Sequence, residues 1–415
     1  MKFEQYRISD AIKSRLAELG FKRPTDIQFK AIPPILKGDD VLAIAQTGTG
    51  KTAAFVIPVL HLLVENKHYR VGPYQVKCLV MVPTRELAVQ IASVFHDIGK
   101  NLKLNIVGIV GGVEQDDQIK QLERGVDVLI ATPGRMFDLI NQQKIDLETL
   151  RVLILDEADH MLDLGFIRDI RDVRRHIRHK HQTLFFSATI TPQIKETAYD
   201  IVRNPIRIQI SPQDPVSKNV SHGVAYIAMD DKRFFLERMV KQHEGAKMLV
   251  FVRTKVRAER VAAAMQRVEI PTLTMHGGKE QGDRLAVMDA FKTGEIRILI
   301  TTDVNARGID IPNVDYVINY DLPDEPENYV HRVGRTGRGV QKGQAISFCS
   351  EEEREILDAI QEYLGKPIEE LVIDKSDYKK IVIASEETPV DNNWRKLIED
   401  HNKAEETFKR KKKKK

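Results

Sequence analysis

Val152, Leu153, Ile154 and Leu155 form an apolar, β-favouring run that ends abruptly in Asp156, Glu157, Ala158 and Asp159. An apolar run without alternation reads as a strand buried on both faces of a parallel sheet. Its carboxyl end then delivers three acids into the crevice where open α/β sheets bind ligands. Carboxylates this close repel one another unless a cation sits among them, which points to a divalent metal with a phosphate as its further ligand. Neighbouring strand residues point to opposite faces, so Asp156 and Glu157 can serve one site only where the strand stops.

The phosphate partner lies upstream. Val41, Leu42, Ala43 and Ile44 read as a second buried strand, followed by Ala45-Gln46-Thr47-Gly48-Thr49-Gly50-Lys51-Thr52. Small residues and glycines let backbone N–H groups curl round a phosphate. The lysine adds a cation, the threonine hydroxyl a Mg2+ ligand, and the helix start a favourable dipole. Ala45 stands where the general pattern has glycine, and it is nearly as small. A glycine-rich turn and an acidic helix cap could each arise independently; the two together, each after an apolar strand, are hard to explain otherwise.

Strand-like runs at residues 41–45, 78–82, 106–110, 126–130, 152–155 and 183–186 alternate with helical periodicity. This predicts an α/β domain over residues 1–208, its parallel sheet covered on both faces. Pro212 and Pro215 among polar residues mark a linker over 209–220. Runs at 247–252, 272–275, 296–301, 314–319 and 343–348 give a second α/β domain over 221–366. That domain has no Gly-Lys-Thr of its own, so it assists a nucleotide site. Residues 367–415 are charge-rich, end in a basic run at 409–415, and read as a disordered tail.

The formal net charge is +4, and the seven basic residues at 409–415 exceed it, so the remainder is slightly acidic. Any nucleic-acid site on the body is therefore a local patch. The two cysteines, Cys78 and Cys349, each sit in an apolar run, which fits buried thiols in a reducing compartment better than a disulfide framework. No apolar run approaches the ~20 residues of a membrane span, and the N-terminus has no signal-peptide pattern. The chain reads as cytoplasmic.

The residues at 156–159 resemble the signature of the DEAD-box RNA helicases of superfamily 2, and the resemblance covers roughly residues 3–365. Phe21 with Pro24-Thr25-Asp26-Ile27-Gln28 resembles the Q motif. The phosphate loop resembles motif I, where the family itself has alanine first. Pro83-Thr84-Arg85-Glu86-Leu87-Ala88 resembles motif Ia, Gly111-Gly112 the glycine pair, Thr132-Pro133-Gly134-Arg135 motif Ib, and Ser187-Ala188-Thr189 motif III. Downstream, Val250 to Thr254 resembles motif IV, and Gln281 with Arg284 the next element. Thr302 to Asp310 resembles motif V, with Asn305 where alanine is commoner. His331-Arg332-Val333-Gly334-Arg335-Thr336-Gly337-Arg338 resembles motif VI. The body and basic tail are most similar to the bacterial RhlE-type group.

The resemblance implies two RecA-like parallel-sheet domains in tandem, joined by a short linker, and RNA-stimulated ATP hydrolysis with ATP and Mg2+. It assigns ATP binding to Phe21, Gln28, Gln46, Thr47, Gly48, Thr49, Gly50, Lys51, Thr52 and Asp310, and Mg2+ to Thr52 and Asp156. Glu157 would activate water, and Arg335 and Arg338 would act as arginine fingers from the second domain. Asp159, Ser187, Thr189 and His331 would transmit domain closure. Thr84, Arg85, Gly112, Thr132, Gly134 and Arg135, with Arg253, Arg284 and Thr302, would hold an RNA backbone without reading sequence. Local unwinding of short duplexes follows, with ribosomal or RNA-decay complexes as settings. The competing readings are an ATP-gated RNA clamp or scaffold with little unwinding, and a DNA-directed ATPase.

Overall fold

The structure, a computed structural model, describes residues 2–46, 48–65, 72–210, 216–303, 314–337 and 342–374, and also residues 376, 378 and 381. Thr47, Asp310, Arg338 and the basic run at 409–415 lie outside the described residues.

The first sheet comprises β1 Val41–Ala45, β2 Val76–Met81, β3 Ile106–Ile109, β4 Val126–Ala131, β5 Val152–Leu155, β6 Gln182–Ser187 and β7 Ile206–Ile210. All its pairings are parallel, in the order β3-β4-β2-β5-β6-β1-β7. Successive strand residues feed opposite faces, as the pleat requires. Val41, Ala43 and Ala45 join a core with Phe55 and Phe95, whereas Leu42 and Ile44 join a second core with Met136 and Ile170. The near-continuous apolar strands follow from this double coverage.

The second sheet comprises β8 Val220–Tyr226, β9 Met248–Phe251, β10 Leu273–Met275, β11 Ile298–Thr301, β12 Tyr316–Asn319, β13 Gly343–Cys349 and β14 Glu369–Glu370. Its order is β10-β11-β9-β12-β13-β8-β14, again parallel throughout. This is the first sheet's order with every strand number raised by seven. The chain has built one topology twice.

Three strands have no counterpart in the apolar runs. β7 lies at a sheet edge and is exposed at Ile206, Arg207 and Gln209. β8 carries Ser221, His222 and Gly223; a Cβ on Gly223 would meet Leu371 at 2.8 Å. β14 is two exposed glutamates at the equivalent edge of the second sheet, paired to β8. Residues just beyond it stay attached to the second domain. The Tyr378 hydroxyl donates to Asp231 at 2.7 Å and accepts from the Ala228 amide at 3.0 Å, and Ile381 is buried in the core.

Candidate functional site

The sheet order sorts the singled-out residues by half. In the first domain, β1, β5 and β6 are adjacent and lead into the phosphate loop, the acids and Ser187, while β2, β3 and β4 lead towards Thr84, Gly112 and Thr132. The second domain repeats this, with Arg253 after β9, Thr302 after β11 and Arg284 beyond β10, while β12 leads to the helix Pro326–Val333 that carries His331.

In the phosphate loop, Gly48 and Gly50 hold φ of +79° and +91°, a region that glycine enters freely. The helix Lys51–Glu65 starts directly after. Lys51 is 7% exposed, and among the described residues its Nζ finds no hydrogen-bond acceptor. A buried ammonium in this state is costly until an anion arrives. The Thr49 hydroxyl donates to the Gln46 carbonyl at 2.7 Å and so closes the loop.

β5 ends at Leu155, so both acids lie past the strand. Glu157 adopts φ 50°, ψ 49°, left-handed for a non-glycine residue, and its amide donates to Asp156 Oδ1 at 3.0 Å. Burial pushes the Asp156 carboxyl up to about 7; Lys51 opposes this, and Glu157 and Asp159 add to it. Burial also pushes Glu157 upward, but His160, Lys51 and Arg335 outweigh it and hold that carboxyl at about 2. His160 Nδ1 stands 3.6 Å from Glu157 Oε2. Two adjacent buried carboxyls are thus driven apart in acidity, one held towards its protonated form and one fixed as an anion.

Asp159 Oδ2 accepts from the amides of Ala188 and Thr189, both at 3.0 Å, and from the Thr189 hydroxyl at 3.3 Å. The Ser187 hydroxyl donates to the Thr189 carbonyl at 2.8 Å. Arg335 enters from the second domain, buried, with Nε donating to the His331 carbonyl at 3.2 Å. Between the domains lies a cavity of about 520 Å³, whose lining includes Gln46, Gly48, Thr49, Thr189, Lys218 and His331. Tyr363 and the linker residues 216–219 also line it. Neither has a sequence signal, because a lone tyrosine and a short polar segment carry no motif.

Gln28 is tied into the phosphate loop by one acceptor position and one N–H of its amide. Its Oε1 accepts from the Thr25 amide at 3.0 Å and its Nε2 donates to the Gly50 carbonyl at 3.1 Å. It caps its own helix and ties it to the phosphate loop. Phe21 is half-buried against Phe3, with ring centroids 5.9 Å apart, and Phe3 itself is core. Thr52 is half-buried next to Lys51.

On the other half of the sheet, Thr84 caps the helix Arg85–Gly99 and Thr132 precedes Pro133–Asn141, whose Gly134 is exposed. Arg85 lies over the glycine pair; a Cβ on Gly112 would fall 2.1 Å from its Nη1. Arg135 Nη2 donates to the Val113 carbonyl at 2.9 Å. Across the domain boundary, buried Glu86 accepts from Arg284 Nη2 at 2.8 Å and from Gln281 Nε2 at 3.2 Å. Glu86 was not among the sequence candidates, since a glutamate in the first turn of a helix reads as a cap. Thr302 is buried, and Arg253 is held by Asp324 and Glu353. Arg332, also absent from the candidates, is 1% exposed and paired to Asp303 at 2.5 and 2.7 Å.

Comparison with known proteins agrees along the chain. The DEAD/DEAH box helicase family matches residues 25–197, and the helicase conserved C-terminal domain matches residues 231–340. The ATP-dependent RNA helicase RhlB of Shewanella amazonensis is 39% identical over 370 residues, covering 88% of this chain and 84% of that protein. The ATP-dependent RNA helicase DeaD of Buchnera aphidicola is 36% identical, over 91% of this chain and 62% of that protein. Dbp5 of S. cerevisiae bound to RNA and ADP BeF3 superposes with a TM-score of 0.81 at 30% identity, over 93% of this chain and 99% of that one. The fit spans both domains, so their mutual placement here is similar to that in the RNA-bound structure.

Proposed function

This chain belongs to the DEAD-box ATP-dependent RNA helicases of superfamily 2, and on that premise we propose how its own residues carry out the reaction. One observation carries the assignment: a buried Lys51 ammonium without an acceptor among the described residues, beside Asp156 and Glu157, with Arg335 brought from the other domain. That is an ATP phosphate site divided between two bodies.

Phosphoryl transfer asks for charge neutralisation and an aligned water more than for covalent chemistry. Lys51 and the loop amides hold the phosphates. Glu157, kept ionised at about 2, accepts a hydrogen bond from the attacking water and orients it. Arg335 forks onto phosphate oxygens only when the domains meet, so closure gates turnover; such a finger contributes ~10³–10⁵ in rate. Asp156 and Thr52 fit Mg2+, because a carboxyl pushed up to about 7 by burial is stabilised as an anion by a cation beside it. Held by Asp156 and Thr52, Mg2+ would supply neutralisation of phosphate charge.

RNA lies on the β2–β4 half and its second-domain equivalent. Hydroxyls, glycine-flanked amides and arginines hold its backbone, and 2′-hydroxyls give the preference over DNA. A strand held across two closed domains cannot stay in a regular duplex, so local strand separation follows. Among the described residues no helix is long and apolar enough to cross a membrane. We place the protein in the cytoplasm, in the RhlE-type group, acting on ribosomal or RNA-decay assemblies.

Glu157→Gln tests the chemistry. ATP binding, followed with a fluorescent nucleotide, should persist, while RNA-stimulated phosphate release falls by about 10²–10⁴-fold. Wild-type turnover in that variant refutes the role of Glu157. Wild-type stimulation by single-stranded DNA but not RNA refutes the substrate.

A further inference from the structure

Lys232 and Glu353 belong to none of the motifs, yet their side chains are 0% and 2% exposed and they pair at 2.5 Å. Lys232 opens the helix Lys232–Gln242 after β8, as Lys51 opens the helix after β1, and β8 and β1 hold the same place in their sheets. The fates of the two ammonium groups differ. Lys232 Nζ donates to Glu353 Oε2 and to the Tyr320 carbonyl at 2.8 Å, and lies 3.9 Å from Asp321. Asp321 follows β12, the counterpart of β5. Where the first domain offers a lysine to phosphate, the second supplies its own carboxylates. Burial lowers the Lys232 pKa, and Glu353 and Asp321 pull it back up.

The second oxygen of Glu353 points at the strand ends. Oε1 accepts from the Leu322 amide at 3.1 Å and from Arg253 Nη2 at 3.2 Å; Oε2 also accepts from the Ser350 amide and hydroxyl at 3.1 and 3.2 Å. The Arg253 amide donates to Asp321 Oδ2 at 3.0 Å, and Arg332 Nη1 donates to the Asp321 carbonyl at 2.7 Å. The chain from Asn319 to Leu322 is therefore gripped at once by Lys232, Glu353, Arg253 and Arg332. The Arg253 side chain remains 36% exposed; its Nε meets Asp324, itself 66% exposed, at 3.1 Å, a solvent-screened pair that a phosphate can displace.

We infer that the Lys232–Glu353 pair occupies the duplicated counterpart of the phosphate site and serves as a positioning element, fixing the Arg253 guanidinium for RNA. This rests on the reading of Arg253 as an RNA contact. An arginine already bound to a buried carboxylate gives up less freedom when it meets a phosphate.

The test uses the full chain, a short oligouridine, and three readouts: basal ATP turnover, the RNA KM for ATPase stimulation, and the thermal midpoint. E353Q removes the nearest anion from a buried ammonium and leaves Asp321 at 3.9 Å, so the midpoint drops, and the RNA KM rises about tenfold as Arg253 loses its buried charged partner and keeps the exposed Asp324. The double variant K232M/E353Q removes both charges. It should recover the midpoint, keep basal turnover and retain the raised RNA KM. In an R253A background, E353Q should add nothing further to KM. An RNA KM that recovers together with the midpoint in the double variant overturns the inference and leaves the pair a purely structural role. A KM unmoved by R253A, in a wild type that RNA does stimulate, overturns it too. A wild type without RNA stimulation instead defeats the functional reading beneath it. If E353Q does not fold, the double variant carries the test.

Discussion

Glu86→Gln should separate domain closure from chemistry. Glu86 touches none of the proposed ATP residues, yet it joins the domains through Arg284 at 2.8 Å and Gln281 at 3.2 Å. Glutamine keeps an oxygen for Gln281 and removes the charge that Arg284 faces. A hydrogen bond to a charged group contributes about 1.5–3 kcal/mol. Breaking a fully buried pair costs about 3–5 kcal/mol, but here Arg284 regains water once the domains part. The side chains are 6% and 11% exposed, so solvent screening in the closed state is small. A loss of about 2–3 kcal/mol borne by the closed state alone shifts the closing equilibrium by about 30- to 150-fold. Dyes placed one on each domain should report that shift in the presence of ATP and RNA, and half-maximal ATPase stimulation should need correspondingly more RNA. Each domain keeps its own core, so the thermal midpoint should hardly move. A wild-type closing equilibrium in E86Q would refute the reasoning, because the pair would then add nothing to the closed state.

Two further outcomes follow from the site. The Asp156 carboxyl ionises near 7 in the folded protein against an ordinary value of 3.8, so the folded state binds the extra proton between them. Stability should therefore fall as pH rises through that window, in the absence of nucleotide and metal, and Asp156→Asn should flatten the slope in a thermal midpoint series. Glu157, depressed to about 2 from 4.5, acts in the opposite sense and mostly below that window, its contribution being lost progressively as pH falls from 4.5 to about 2. Gly112→Ala meets both a φ of +75° and a Cβ position 2.1 Å from Arg85 Nη1. It should displace Arg85, raise the RNA KM and leave basal ATP turnover unchanged in a phosphate-release assay.

The central strands of both sheets were legible because double burial writes them as unbroken apolar runs, as in Val152–Leu155 and Met248–Phe251. β7, β8 and β14 were not, because edge or near-edge strands keep polar and glycine residues that the same signal reads as loop. The phosphate loop and the acids were legible because their chemistry demands fixed residue types at fixed spacing. Glu86 and the pair Lys232–Glu353 were not, because their meaning lies in partners far away in the chain. Gln28 shows a related gap: its residue type announces donors and acceptors, but only the fold reveals that one acceptor position serves Thr25 and one N–H serves Gly50, leaving a second N–H and a second lone pair.

The left-handed backbone at Glu157 has a cost and an origin that belong together. Had the chain continued as strand, Glu157 would have pointed away from Asp156; the turn to φ 50° brings it round. A non-glycine residue there sacrifices about 1–2 kcal/mol. Glycine at this position would relieve that tension and remove the group proposed to activate water, so on this reading a sturdier protein and a dead one lie a single substitution away in the same direction. Selection for durability alone would erode this residue, and only selection for turnover keeps it. Thermostabilising searches that rank variants by melting temperature will for this reason tend to propose discarding the very carboxylate to which we assign the water.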